Sequence, residues 1–318
     1  MVFCLCATRN WYMHLATNLY SLFKNNNVKK VYLFIEDDEI SYFKDKRIEF
    51  INVNKLEEYV LPSSPNYNTK YSKLSYTRCY FSKILKEDKV IYIDVDALVI
   101  DDISELWELD LKDNVIAGIH EGGEWNKHLC TYGLDDTYIN SGVLLMNLKA
   151  LREERLDDSM LYLLNNKQFC FPDQDVINLV CRNRIYQLEN IYNSTETNGF
   201  RDDAKVIHYI RGRKGWVKGS PRYEIWDNYH NEYVEKEGIM NNYKVKALIS
   251  FNDYQGKDIN VSSNEFIERK AGESEWWCDA ERYLYLKSKN AVELVEIKKE
   301  EEPQTEKPKT TKKKTSKK

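Results

Sequence analysis

Short unbroken apolar runs alternate with stretches in which apolar residues recur every three or four positions. Val2 to Ala7 and Val31 to Ile35 are continuously apolar, the pattern of strands buried on both faces. Between them Leu15, Leu19, Leu22 and Phe23 share one face of a helix expected over Tyr12 to Lys24. Ile48 to Val53 reads as a third, shorter strand. Tyr71 to Leu85 reads as a helix, with Leu74, Arg78, Phe81 and Leu85 at turn spacing. Val90 to Ile93 is a further buried strand, and it runs directly into Asp94, Val95 and Asp96. This alternation predicts an α/β fold: an open, mostly parallel sheet with helices on both faces.

The middle of the chain adds strands at Val115 to His120 and Gly142 to Asn147. It also adds a surface helix over Leu148 to Asn165 and a helix with an acidic N-terminus over Asp173 to Cys181. Val206 to Tyr209 reads as a late strand before a glycine-rich, basic loop. Composition shifts across Glu235 to Asn242. Beyond it, Tyr243 to Phe251 alternates polar and apolar residues, as an antiparallel strand with one wet face does. Ala280 to Lys287 is helix-like and Val292 to Ile297 is a closing strand. From Lys298 onward the chain has no hydrophobic residue, so it cannot offset its chain entropy and is expected to be disordered. The expected domains are therefore 1–236, a small β-rich unit over 243–297, and a Lys-rich tail over 298–318.

Composition narrows the function classes. A formal net charge of -4 lacks the basic excess of a nucleic-acid binder. The seven cysteines form no C-x-x-C pair and no framework, which favours reduced thiols and a cytoplasmic location. No apolar run approaches the ~20 residues that a membrane span needs, so membrane contact is expected to be peripheral.

Two features carry chemistry. The first is Asp94-Val95-Asp96, at the carboxyl end of a buried strand, where α/β sheets place their ligands. In an extended chain, residues two apart point to the same side, and paired carboxylates suit a hard divalent cation. Asp173-Gln174-Asp175 repeats the spacing, so spacing alone does not decide. The second is His208, ahead of Arg211-Gly-Arg-Lys-Gly-Trp216. A neutral imidazole can complete a carboxylate site for a borderline metal, and the basic loop can meet a diphosphate. Read alone, His208 fits a structural histidine better than a ligand, and Asp173 only a helix N-terminal acid.

From Met1 to Trp226 the chain resembles glycosyltransferase family 8, the group of glycogenin and the lipopolysaccharide galactosyl- and glucosyltransferases, with the family's motifs in order. Ala7-Thr8-Arg9-Asn10-Trp11-Tyr12 is similar to its first nucleotide-binding turn, and Arg78 to a basic residue that contacts the donor. Tyr92 to Val99 is similar to its metal signature, and Ile103 to Trp107 to the segment that follows. Tyr138 to Asn147 resembles its central strand, whose Asn140, Ser141 and Gly142 face the sugar. Asp173 and Gln174 match the Asp-Gln pair that binds the donor sugar. In the last motif His208, Lys214 and Trp216 fit, but Arg211 replaces a glycine and Gly215 a proline, which implies a more mobile loop.

The resemblance implies a GT-A type fold and transfer of a hexose from a UDP-sugar with retention, glucose or galactose being the first guesses. It implies Mn²⁺, or Mg²⁺, held by Asp94, Asp96 and His208. Ala7, Thr8, Asn10, Tyr12, Val95 and Lys214 would hold the nucleotide and its phosphates, with Arg213 adding charge. Arg78, Asn140, Ser141, Asp173 and Gln174 would orient the sugar. Gln174 is a poor nucleophile, so a front-face reaction fits better, with Asp175 as a further carboxylate. The acceptor, whether saccharide, lipid-linked or protein, is not legible, although Leu61 to Asn68 and Glu121 to Trp125 read as loops at the crevice mouth. Tyr243 to Ile297 resembles short β-rich appendages of bacteriophage proteins, which implies a phage-encoded protein acting in a host cytoplasm. The competing readings are a nucleotidyltransferase and a weak or inactive nucleotide-sugar-binding module of a phage or cell-surface assembly.

Overall fold

The computed structural model describes residues 1–40, 43, 45–69, 71–121, 137–210, 212–236, 243–253, 267–278, 283, 286–287 and 290–297. The chain divides into two compact units, Met1–Gly238 and Ile239–Lys318.

In chain order the first unit contains β1 (Val2–Ala7), α1 (Tyr12–Asn25), β2 (Lys30–Ile35), β3 (Ile48–Asn52), α2 (Phe81–Ile84), β4 (Lys89–Asp94) and β5 (Ala97–Val99). These are followed by α3 (Ser104–Glu108), β6 (Ile116–Gly118), β7 (Val143–Asn147), α4 (Leu148–Glu153), α5 (Leu156–Asn166), α6 (Pro172–Val180), β8 (Ile185–Gln187), β9 (Val206–His208) and α7 (Tyr223–Lys236). Seven strands form the central sheet in the order β3-β2-β1-β4-β7-β6-β8. The pairs β3-β2, β2-β1, β1-β4 and β6-β8 are parallel, and only β7 runs against its neighbours.

The unbroken apolar runs arise because both faces of the sheet are covered. Phe3, Leu5, Ile91 and Ile93 pack against Leu15, Leu19 and Leu22 of α1. The alternate residues Cys4, Cys6, Val90 and Tyr92 pack against Tyr76, Phe81, Leu151, Leu164 and Val176 on the other face. Burial of this kind contributes roughly 25 cal/mol for each Å² of apolar surface.

Two expected helices are each broken. Tyr71 to Leu85 is a 3₁₀ stretch, Lys73–Cys79, followed by the single turn of α2, and Tyr80 between them leaves helical geometry at φ -139°. Leu148 to Asn165 is α4 and α5, separated at Arg155, which takes a left-handed φ of 56°. The helix α7 lies where no helix is expected.

A separate two-stranded ribbon pairs β5 with β9, setting Ala97 opposite His208. Parallel register places Cys6 beside Asp94 and Ala7 beside Ile35, so β1, β2 and β4 end on one edge. Because β7 is antiparallel to β4, it begins on that same edge, with Val143 opposite Ile93.

The second unit has β10 (Tyr243–Ala247), β11 (Phe251–Asp253), β12 (Ile267–Arg269), β13 (Glu275–Cys278) and β14 (Val292–Ile297). An antiparallel sheet has the order β13-β10-β14, and β11 pairs with β12. Val245, Cys278, Tyr283, Leu286, Ala291 and Val292 form its core. Thus Tyr243 to Phe251 is β10 and the start of a second strand. The expected helix over Ala280 to Lys287, the segment 122–125 and the tail 298–318 lie largely or wholly outside the described residues. Among the described residues no helix is long and apolar enough to cross a membrane.

Candidate active site

The acidic pair sits at the carboxyl edge of β4, but it does not converge through strand alternation. The strand ends at Asp94, and Val95 and Asp96 form a turn into β5. Asn18 of α1, buried, holds that turn by donating to the carbonyls of Val95 and Ala97 at 3.2 and 2.7 Å. Tyr209 N donates to Asp96 O at 2.9 Å, which ties the turn to β9. The β5–β9 ribbon then delivers His208 to the pair. One ligand atom from each of Asp94, Asp96 and His208 lies within 4.8 Å of the others. His208 Nε2 is 3.4 Å from Asp96 Oδ1 and 3.8 Å from Asp94 Oδ2.

Close approach requires a glycine beside this trio. A β-carbon on Gly142 would stand 2.7 Å from His208 Nδ1 and 2.9 Å from Asp94 Oδ2. Two carboxylates and an imidazole around such a cradle are a donor set that suits Mn²⁺, and less closely Mg²⁺.

Cationic groups flank the carboxylates. Arg78, only 4 % exposed, donates through Nη2 to Asp94 Oδ1 at 2.8 Å and through Nη1 to Ser141 O at 2.6 Å. Its guanidinium lies over the Tyr92 ring, 4.1 Å from the centroid, and Tyr92 OH also donates to Asp94. Burial works against the Arg78 charge, but Asp94, Tyr92 and Asp173 outweigh it and its pKa is raised. Lys214 Nζ pairs with Asp96 Oδ2. Burial would raise the Asp96 carboxyl, yet His208 and Lys214 hold it well below the usual carboxylate range.

On the other side, α6 brings in Asp173 and Gln174. Ser141 Oγ donates to Asp173 Oδ2 at 3.1 Å, and Ser141 N donates to Gln174 Oε1 at 3.0 Å. Burial raises the Asp173 carboxyl; Arg78 opposes the rise and Asp94 adds to it. Asn140 donates to Glu121 Oε2 at 2.7 Å and accepts from Gly142 N and Asn193 Nδ2, both at 2.9 Å. Asp175 is fully buried. It accepts from Tyr138 OH at 2.5 Å and Phe171 N at 3.0 Å, so it is committed to positioning the start of α6.

The first turn lies on the same edge. Ala7 ends β1, Thr8 precedes a 3₁₀ turn that contains Asn10, and Tyr12 opens α1. Tyr12 OH donates to Asp37 Oδ2 at 2.9 Å and accepts from Glu36 N at 3.0 Å. Val95 is half-buried in the acidic turn. Thus Asp94, Asp96, His208, Lys214, Arg78, Ser141, Asp173, Gln174 and Asn140 form one connected cluster. Arg213 points elsewhere, to an exposed pair with Glu196 at 2.7 Å. Gly215 is a packing requirement: a β-carbon there would come within 2.8 Å of the Tyr209 ring and 3.0 Å of Trp226. Trp216 stacks on His14 with centroids 3.8 Å apart. Asn18 and Asn193 have no motif around them and were not legible in the sequence; Glu121 was legible only as the start of a loop at the crevice mouth.

Residues 2–219 match the family model described as glycosyl transferase family 8. The chain belongs to that family. This family 8 chain is 26 % identical over 250 residues to general stress protein A of Bacillus subtilis, across 66 % of this chain and 85 % of that protein. It is 25 % identical over 257 residues to the lipopolysaccharide 1,2-glucosyltransferase of Escherichia coli, across 69 % of this chain and 72 % of that one. The solved structure of galactosyltransferase LgtC, in complex with donor and acceptor sugar analogs, matches with a TM-score of 0.61 at 21 % identity. That match covers 73 % of this chain and 96 % of LgtC. The likeness establishes the fold, a GT-A type sheet flanked by helices, and family 8 membership supports glycosyl transfer as the activity.

Proposed function

We propose that this chain is a retaining hexosyltransferase that takes glucose or galactose from a UDP-sugar and depends on Mn²⁺, or Mg²⁺, held by Asp94, Asp96 and His208. The observation that carries the reading is the joint placement of that trio, its glycine cradle and two cations, Arg78 and Lys214, at one sheet edge. When bound, the cation supplies Lewis-acid stabilisation to the leaving diphosphate. Lys214 adds positive charge where negative charge develops. Ala7, Thr8, Asn10, Tyr12 and Val95 line the edge that would receive the nucleoside.

Arg78, Ser141, Asp173 and Gln174 are held by mutual hydrogen bonds, and Asn140 by Glu121, Gly142 and Asn193, which suits them to orient a sugar. The Gln174 amide is a poor nucleophile and Asp175 is fully buried, which favours front-face attack by the acceptor over a covalent carboxylate route. The acceptor would be a saccharide, a lipid-linked sugar or a protein, and the lack of a cysteine framework supports a reaction in the cytoplasm.

The test is UDP release from a panel of UDP-sugars with Mn²⁺, beside an Asp94→Asn/Asp96→Asn double variant. Slow hydrolysis of one donor, lost with EDTA and in the variant, is expected. Absence of both UDP release and calorimetric binding of UDP with Mn²⁺ would rule the reading out.

A further inference from the structure

Asn193 is 0 % exposed, and it touches the one imidazole of the candidate cation site. Its Oδ1 lies 2.9 Å from His208 Nδ1. Geometry at that contact alone leaves open which nitrogen of His208 carries the proton. The surrounding network closes the question.

The anchor is the backbone. Gly142 N–H can only donate, and it does so to Asn140 at 2.9 Å, so the atom of Asn140 that faces it is the carbonyl oxygen, Oδ1. The other end of Asn140 must then be its NH₂, and this meets Glu121 Oε2 at 2.7 Å, a carboxylate oxygen that accepts. Asn140 Oδ1 has a second lone pair, which takes a donor from Asn193 at 2.9 Å. That donor is Asn193 Nδ2, so the face of Asn193 toward His208 is its carbonyl oxygen. A carbonyl oxygen there demands a proton on His208 Nδ1. The Nε2 lone pair is thereby left facing Asp94 and Asp96, at 3.8 and 3.4 Å.

We infer that Asn193 is a positioning residue that fixes His208 in the Nδ1–H tautomer and so presents Nε2 as a ligand atom. The inference rests on the proposed cation site and deepens it. Asn193 acts on the metal ligand from behind, as hydrogen-bond acceptors behind ligating histidines do. Its own orientation is dictated through Asn140 by the backbone of Gly142. The same relay ends at Glu121, which also accepts from Gln174 Nε2 at 3.4 Å, so the sugar-side amide and the imidazole share one directed chain of hydrogen bonds.

The test combines two readouts on the full chain. Nitrogen-15 NMR of histidine-labelled protein without metal, at rising pH until the His208 ring is neutral, reads the tautomer. Calorimetry with Mn²⁺ alone reads affinity. Asn193→Asp keeps an acceptor for Nδ1–H and gives up only the donor to Asn140, whereas Asn193→Leu removes both at similar volume, so the difference between the two variants isolates the acceptor. The neutral ring is expected to carry its proton on Nδ1 in the wild type and in Asn193→Asp, and on Nε2 in Asn193→Leu. Mn²⁺ affinity is expected to fall about 10- to 100-fold in Asn193→Leu and to be kept in Asn193→Asp.

A purely structural asparagine would weaken both variants alike, and that result would overturn the inference, as would a neutral wild-type ring protonated on Nε2. Should Asn193→Leu fail to fold, the wild-type spectrum and Asn193→Asp decide. A wild type with Nδ1–H that binds no Mn²⁺ would uphold the role of Asn193 and overturn the cation site itself.

Discussion

Gly142 lies against His208 so closely that a single added methyl group would stand 2.7 Å from the imidazole Nδ1 and 2.9 Å from Asp94 Oδ2. Neither side chain can retreat far, since His208 is buried and Asp94 is held by Arg78 and Tyr92. Gly142→Ala is therefore expected to weaken Mn²⁺ binding by at least about tenfold, a loss on the scale of second-layer changes around metal ligands. Circular dichroism checks that the fold persists, and calorimetry reads the affinity.

Arg78 is the buried counter-charge of Asp94 and Asp173, at 2.8 and 3.4 Å. Removing it leaves two carboxylates with less compensation in a buried setting. Arg78→Ala is expected to cost about 3–5 kcal/mol in urea unfolding, as for other broken buried pairs. Arg78→Lys keeps the charge but cannot reach Asp94 and the Ser141 carbonyl together, so an intermediate loss is expected.

His14 gives the fold an acid-sensitive limb. Burial, with a smaller contribution from the charge of His230, pushes its pKa from 6.5 down to about 3. Its Nδ1 has no hydrogen-bond partner among the described residues, and its ring stacks on Trp216. Between those pH values the unfolded chain binds more protons than the fold, so stability falls as pH drops from 6.5 toward 3 and is intact above 6.5. The loss is on the order of a few kcal/mol. Thermal melts of His14→Phe across that range are expected to show a shallower acid limb than the wild type.

Gly215 stands where the family pattern has proline. Restoring it is expected to destabilise, because any β-carbon there meets the rings of Tyr209 and Trp226. Gly215→Pro should lose about 1–3 kcal/mol, the usual cost of overpacking, and thermal melting would show it. An unchanged or higher melting temperature would mean that the two rings give way.

The central strands were legible because burial on both faces leaves no polar position, as in Val2 to Ala7. Helix continuity was less legible. Apolar spacing records which face is covered, and it runs on through a break such as Tyr80 or Arg155. The strand β5 is three residues long, too short for any periodicity, and α7 is mostly polar, whereas the equally short β9 falls within the apolar run expected as a strand over Val206 to Tyr209. Within the site, Asp94, Asp96 and His208 could be read from their motifs, although the first two converge through a turn rather than through strand alternation. Asn18 and Asn193 could not be read, nor could the contact of Glu121 with Asn140, because a lone polar residue acquires meaning only from partners elsewhere in the chain.

The ribbon that joins Ala97–Val99 to Val206–His208 has a consequence for biosynthesis. The acidic pair is made early, and the partners of β4 in the sheet, β1 and β7, both precede position 150, but the imidazole arrives only after residue 208 has left the ribosome. Closing so long a loop is slow compared with forming local structure. A nascent chain therefore carries its carboxylates with an incomplete donor set, and the proposed cation site is complete only in the last stage of making the domain.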